Sequence, residues 1–205
     1  MPNPYRKIAP DANLIVGSSV YQTLEHNPSL GALAMGGIIA WSRVESFMLD
    51  IYLAMLGGPN DSAGIAFLAL ETQGPRSAVI EAVARERLGE QEREILHALL
   101  KKVKAAQKTR NKLAHWNWGY SPQLPDYFVL VDPREATRVL DPGAPPGSGK
   151  QYDKFLAFDA SDFEGLIQDC ELICGIARRL LFIVQGYSTN QDGALIQKLR
   201  QELGL

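Results

Sequence analysis

The chain has 205 residues, 46% hydrophobic and 21% charged, with a formal net charge of -2 and a pI near 5.9. That is enough chain for one domain with a core of its own, and the composition is ordinary for a soluble globular protein. It excludes a surface coated with basic residues for gripping long duplex DNA, while leaving room for a small local cationic site. Two cysteines, Cys170 and Cys174, give no disulfide framework. Their four-residue spacing places both on one helical face, as small apolar residues of a core, and without further ligand candidates nearby they make a poor metal site.

The first residues, through Gln22, carry no signal-peptide pattern of charge followed by an apolar run. The most apolar stretch, Leu30–Trp41, is too short to cross a bilayer, and Arg43, Glu45 and Asp50 follow it at once. The expectation is a cytoplasmic protein with no membrane contact.

Residues 1–27, with prolines at 2, 4 and 10, read as an extended lead-in with a short helix near Gly17–Leu24 and His26 in a solvated polar turn. Pro28 or Ser29 opens a strong helix to about Leu56, stopped by Gly57-Gly58-Pro59. Ile38, Trp41, Met48, Tyr52 and Met55 share one stripe of it, and Glu45 falls inside that stripe. A carboxylate on an apolar face either reaches solvent past its neighbours, makes a structural ion pair, or meets a specific cation. Asp61–Gln73 reads as a short helix broken by Gly74-Pro75, and Arg76–Leu88 as another ended by Gly89.

Glu90–Trp118 reads as the long helix of the chain, acidic in its first turn and basic after Lys101, as the helix dipole favours. Ile95, Leu99, Val103 and Ala106 form its apolar stripe, and the same steps lead on to Arg110. A guanidinium there needs a carboxylate, a partner chain or a phosphate. Pairing with Glu45 is the expectation that would explain both misplaced charges. The dense run Lys101, Lys102, Lys104, Lys108 and Arg110 is a solvated face or a local cationic site, and His97, in the apolar half, reads as a satisfied core or interface histidine.

Residues 120–158 turn rich in Pro and Gly, with β-like runs at Tyr127–Val131, Thr137–Leu140 and Lys154–Phe158. They predict a small hairpin or three-strand insertion flanking the helices. Ala144–Gln151 imitates the phosphate-binding P-loop but lacks its first glycine and its final hydroxyl, and no βαβ pattern surrounds it, so a loop is expected. Asp159–Gln185 is the last strong helix, and Ala194–Leu203 a short closing one. The sum is a mainly α chain, an antiparallel helical bundle forming a single domain over 1–205, with an irregular β insertion before the last long helix.

With Arg110 and Asn111 followed, after three intervening residues, by His115 near the end of a bundle helix, the chain resembles the HEPN-domain superfamily. Glu45 resembles the acid that many members keep facing the motif arginine. The resemblance covers about 28–118 and 159–185. It implies a homodimer whose motif helices meet across a cleft, and RNA as the substrate of a metal-independent endoribonuclease of toxin–antitoxin, anti-phage or RNA-processing type, with an antitoxin or other protein partner in some systems. Other members keep the fold as a non-catalytic binding module. Neither a cofactor nor a metal is implied.

In that scheme His115 moves protons, Arg110 clamps phosphate, Asn111 holds the histidine or the backbone, and Glu45 orients Arg110. Lys108 and Lys112 are the flanking phosphate contacts. Trp116 and Trp118 either stack on splayed bases or pack the dimer seam. Five positions of a regular helix rotate a side chain by about 140°. Arg110 and His115 of one chain therefore act together only if the helix loosens by Ala114–Trp116, or if each site takes residues from two protomers.

Overall fold

A computed structural model describes residues 2–9, 12–16, 20–139, 155–186 and 192–205, which are mainly helical with one small antiparallel sheet. In chain order the elements are β1 (Asn3–Pro4), α1 (Tyr5–Ile8), β2 (Ile15–Val16), α2 (Val20–His26), α3 (Pro28–Met55), α4 (Asp61–Leu68), α5 (Gln73–Arg87) and α6 (Glu90–His115). There follow β3 (Asn117–Tyr120), β4 (Phe128–Val131), α7 (Pro133–Val139), β5 (Phe155–Phe158), α8 (Ala160–Val184) and α9 (Asp192–Leu203). Two compact units are distinguished, Met1–Ala40 with Gln107–Gln168, and Trp41–Ala106 with Asp169–Leu205.

The first unit holds the sheet, ordered β1-β5-β4-β3-β2 and antiparallel throughout. Its outer strands come from the lead-in, so residues 1–27 are less extended than the prolines suggest, while the short helix expected near Gly17–Leu24 is present as α2, Val20–His26. They supply two strands of two residues each and two short helices. Pairs that short carry no alternation to read in a sequence. Central β4 is buried at all four positions, as expected of a strand covered on both faces. Val129 and Val131 pack with Tyr5 and Phe155 on one side. On the other, Phe128 meets Phe163 of α8 edge-on at 6.5 Å, and Phe158 stacks on the same ring at 5.6 Å. Gly119 of β3 is required by close approach: a Cβ there would stand 2.6 Å from the carbonyl oxygen of Ile15 on the paired strand. Gly37 plays the same part for the helices, since its Cβ would meet Leu166 of α8 at 2.9 Å.

Two expected strands, Tyr127–Val131 and Lys154–Phe158, match β4 and β5 within a residue, Lys154 itself lying outside the described residues. The third does not. Thr137 and Val139 belong to helix α7, entered through Pro133 and an Asp132 cap whose carboxylate accepts from the Arg134 amide at 2.9 Å. The β-branched pair favours a strand locally, and the cap with Pro133 outweighs it. The P-loop-like Ala144–Gln151 lies outside the described residues.

Of the expected stripes, Trp41, Met48, Tyr52 and Met55 on α3 and Ile95, Leu99 and Val103 on α6 are buried, while Ile38 is half-buried. α5 begins earlier than expected, because Gly74-Pro75 sits in its first turn, where a proline lacks no bond, and not as a break before it. Arg179 forms a fork to Glu202 at 2.7 and 2.6 Å, and Arg200 reaches Glu94, so α9 is tied to α8 and α6. Cys170 and Cys174 are buried and free. Burial pushes the Cys170 thiol up to about 11, which leaves it neutral and unreactive.

Candidate functional site

The motif lies on the last turns of α6. Ala106 and Leu113 are buried there, Lys108 and His115 are exposed, and Arg110 is half-buried at the margin between the two faces. The helix is regular to its end: the Trp116 amide donates to the Lys112 carbonyl at 2.9 Å. It does not loosen before His115, so the rotation of about 140° between Arg110 and His115 stands. It also stops sooner than the sequence suggests. Asn117–Tyr120 leaves the helix to pair with β2 and β4, and Trp118 becomes a strand residue.

Arg110 is incompletely satisfied. Its Nη1 donates to the Asn111 Oδ1 over a long 3.4 Å, and its Nε is buried with no hydrogen-bond partner. A buried donor left unmade costs about 1–3 kcal/mol. Asn111 therefore holds the arginine, not the histidine. His115 makes no hydrogen bond or ion pair among the described residues and stands free in solvent.

The flanking residues divide. Lys108 is exposed. Lys112 is half-buried, with its ammonium 5.4 Å from the centre of the Trp116 ring, and desolvation lowers its pKa below the ordinary lysine value. Trp118 is a packing residue: its indole N–H donates to the Leu113 carbonyl at 2.9 Å, capping the end of α6, and its ring meets Phe128 edge-on at 5.6 Å.

No family model, no curated protein and no solved structure matches this chain.

Glu45 is engaged elsewhere. Its carboxylate accepts from Arg76 of α5 at 3.5 Å, and that guanidinium also donates to the Leu70 carbonyl at 2.7 Å and lies 5.7 Å from the centre of the Phe67 ring. Arg76 thus closes the α4–α5 turn onto α3, and Glu45 has the structural role among those its position allowed. The sequence gives little warning of Arg76, because an inter-helix ion pair has no period. Replacing Arg76 with alanine is expected to lower the unfolding free energy by about 1–3 kcal/mol, whereas Glu45→Gln costs less because that pair is partly exposed. Calorimetric melting of both variants checks this, and an unchanged Arg76→Ala melt would dismiss the clamp.

Two histidines also differ from expectation. His97 is exposed, 3.7 Å from Glu81, and not a core group. His26 is half-buried at the end of α2, stacked on Tyr120 at 4.4 Å with its Nε2 buried, and not solvated. Among the described residues no group of three or more His, Cys, Asp or Glu could hold a metal ion, and no helix is long and apolar enough to cross a membrane.

Proposed function

We propose that this chain is a metal-independent endoribonuclease of HEPN type, with the helices as its antiparallel bundle, whose site is completed by a second copy. One observation carries the reading: Arg110 keeps an unpartnered buried Nε at the margin of a helix that runs regularly on to a free His115. A charged group left under-satisfied in this way is suited to a phosphate from outside the chain. In an assembled site Arg110 of one protomer holds the scissile phosphate while His115 of the other exchanges protons. The 2′-hydroxyl then attacks its own phosphorus, the P–O5′ bond breaks, and the products are a 2′,3′-cyclic phosphate and a 5′-hydroxyl. Lys108, Lys112 and Trp116 border the RNA path, and cellular roles as a toxin or defence component, with an antitoxin or other protein partner, suit such an activity.

The second reading, a non-catalytic HEPN-like module for a protein or nucleic-acid partner, is favoured by the ion pair of Glu45 with Arg76, a structural use of the acid that the resemblance assigns to the motif. The test is cleavage of mixed tRNA and single-stranded RNA in EDTA by the wild type and His115→Ala. We expect cyclic-phosphate ends from the wild type and a loss of about 10²–10⁴-fold in the variant, the range for a proton-transfer residue. Equal inertness of two folded dimers would favour the module.

A further inference from the structure

Between α5 and α6, in the second unit, lies a recess of about 190 Å³ lined by Glu81, Ala84, Arg85, Arg93, Leu96 and His97. Each helix contributes residues at i, i+3 and i+4, which is one continuous face of each. Ala84 and Leu96 are buried and form an apolar floor. The rim is where the arrangement is unusual.

Glu81 is the only carboxylate in the lining, and it faces His97 at 3.7 Å. Arg85 and Arg93 have no ion pair or hydrogen bond through their side chains among the described residues. Two guanidiniums thus border one small recess whose single carboxylate faces His97, so the positive charge of the rim exceeds the negative. Arg93 is also in the first turn of α6, where the amide dipoles disfavour a cation. Folding stability alone would place an acid at one of these positions. A doubly charged oxyanion between the arginines offsets that excess, and the planar forks of arginine match its oxygens. The volume suits a phosphate group better than a whole nucleotide, whose sugar and base would extend into solvent.

We infer that this recess is a binding site for a phosphate monoester, with Arg85 and Arg93 as its clamp and His97 as a third donor. It is separate from the α6 motif and does not depend on its function.

The test is calorimetric titration of the full chain with inorganic phosphate and, separately, with adenosine 5′-monophosphate. The proteins are the wild type, Arg85→Gln with Arg93→Gln, and a control of equal charge loss, Lys101→Gln with Lys104→Gln. We expect saturable one-to-one binding to the wild type, at least about tenfold weaker binding to the arginine pair variant, and little change in the control. Binding of both probes marks recognition of the phosphate itself, and binding of the nucleotide alone adds a contact beyond it. Arg85→Glu supplies the missing acid: it should raise the melting temperature without phosphate and abolish any further rise on adding it. Absent saturation by either probe, or equal weakening in both pair variants, would overturn the proposal.

Discussion

Mixing two inactive variants, Arg110→Ala and His115→Ala, is expected to restore RNA cleavage to about a quarter of the wild-type level, given random pairing and a two-fold dimer. The expectation follows from the regularity of α6. Because the helix is unbroken through the Trp116–Lys112 bond, Arg110 and His115 leave it about 140° apart and cannot close on one phosphate within a chain. A site built from two chains takes its arginine from one and its histidine from the other. In a dimer of one variant with the other, one site has lost both groups and the second has lost neither. Half the dimers are mixed and half their sites intact, which gives the quarter. Mixed dimers isolated by two affinity tags should then show about half the wild-type rate. If they form and remain as inactive as their parents, the composite site is wrong. Active mixed dimers would also set aside the reading of this chain as a non-catalytic module.

How far the sequence led depended on the kind of interaction. Long helices were legible because burial repeats along them: Trp41, Met48, Tyr52 and Met55, or Ile95, Leu99 and Val103, announce one face every three or four residues, and those residues are buried. The exposed Lys101, Lys104 and Lys108 of α6 and the buried cysteines of α8 were legible for the same reason. The sheet was half legible. β4 and β5 are apolar runs of four residues, whereas β1 and β2 are residue pairs whose partners lie more than a hundred positions away. No local pattern encodes such a pairing. Charges were the least legible. That Glu45 and Arg110 both occupy apolar stripes was readable, but which cation Glu45 meets is decided by the α4–α5 turn, and that turn delivers Arg76. Trp118 shows a related limit: the helical pattern carried it onto α6, while strand pairing placed it against Phe128.

Arg110→Met is expected to separate function from stability, abolishing cleavage while making the protein harder to unfold. Methionine keeps the unbranched apolar stem at a half-buried position and removes the guanidinium, whose Nε is buried without a partner and whose Nη1 has only the long bond to Asn111. Relief of one unmet donor is worth about 1–3 kcal/mol, from which the weak Asn111 contact must be subtracted. A net gain of about 1 kcal/mol raises the melting temperature of a chain this size by roughly 2–4 °C. Cleavage should fall by at least about a hundredfold, because Arg110 is the single arginine in the last turns of α6, and the lysines beside it cannot supply a planar fork to the phosphate. Arg110→Lys is the informative companion: it keeps the positive charge and removes the Nε, so it should share the stability gain and recover little activity. Opposite movements of stability and activity are the signature of a residue held in strain for a ligand. Were Arg110→Met instead to melt below the wild type, the guanidinium would be a structural group, and the assignment of Arg110 to phosphate would fail.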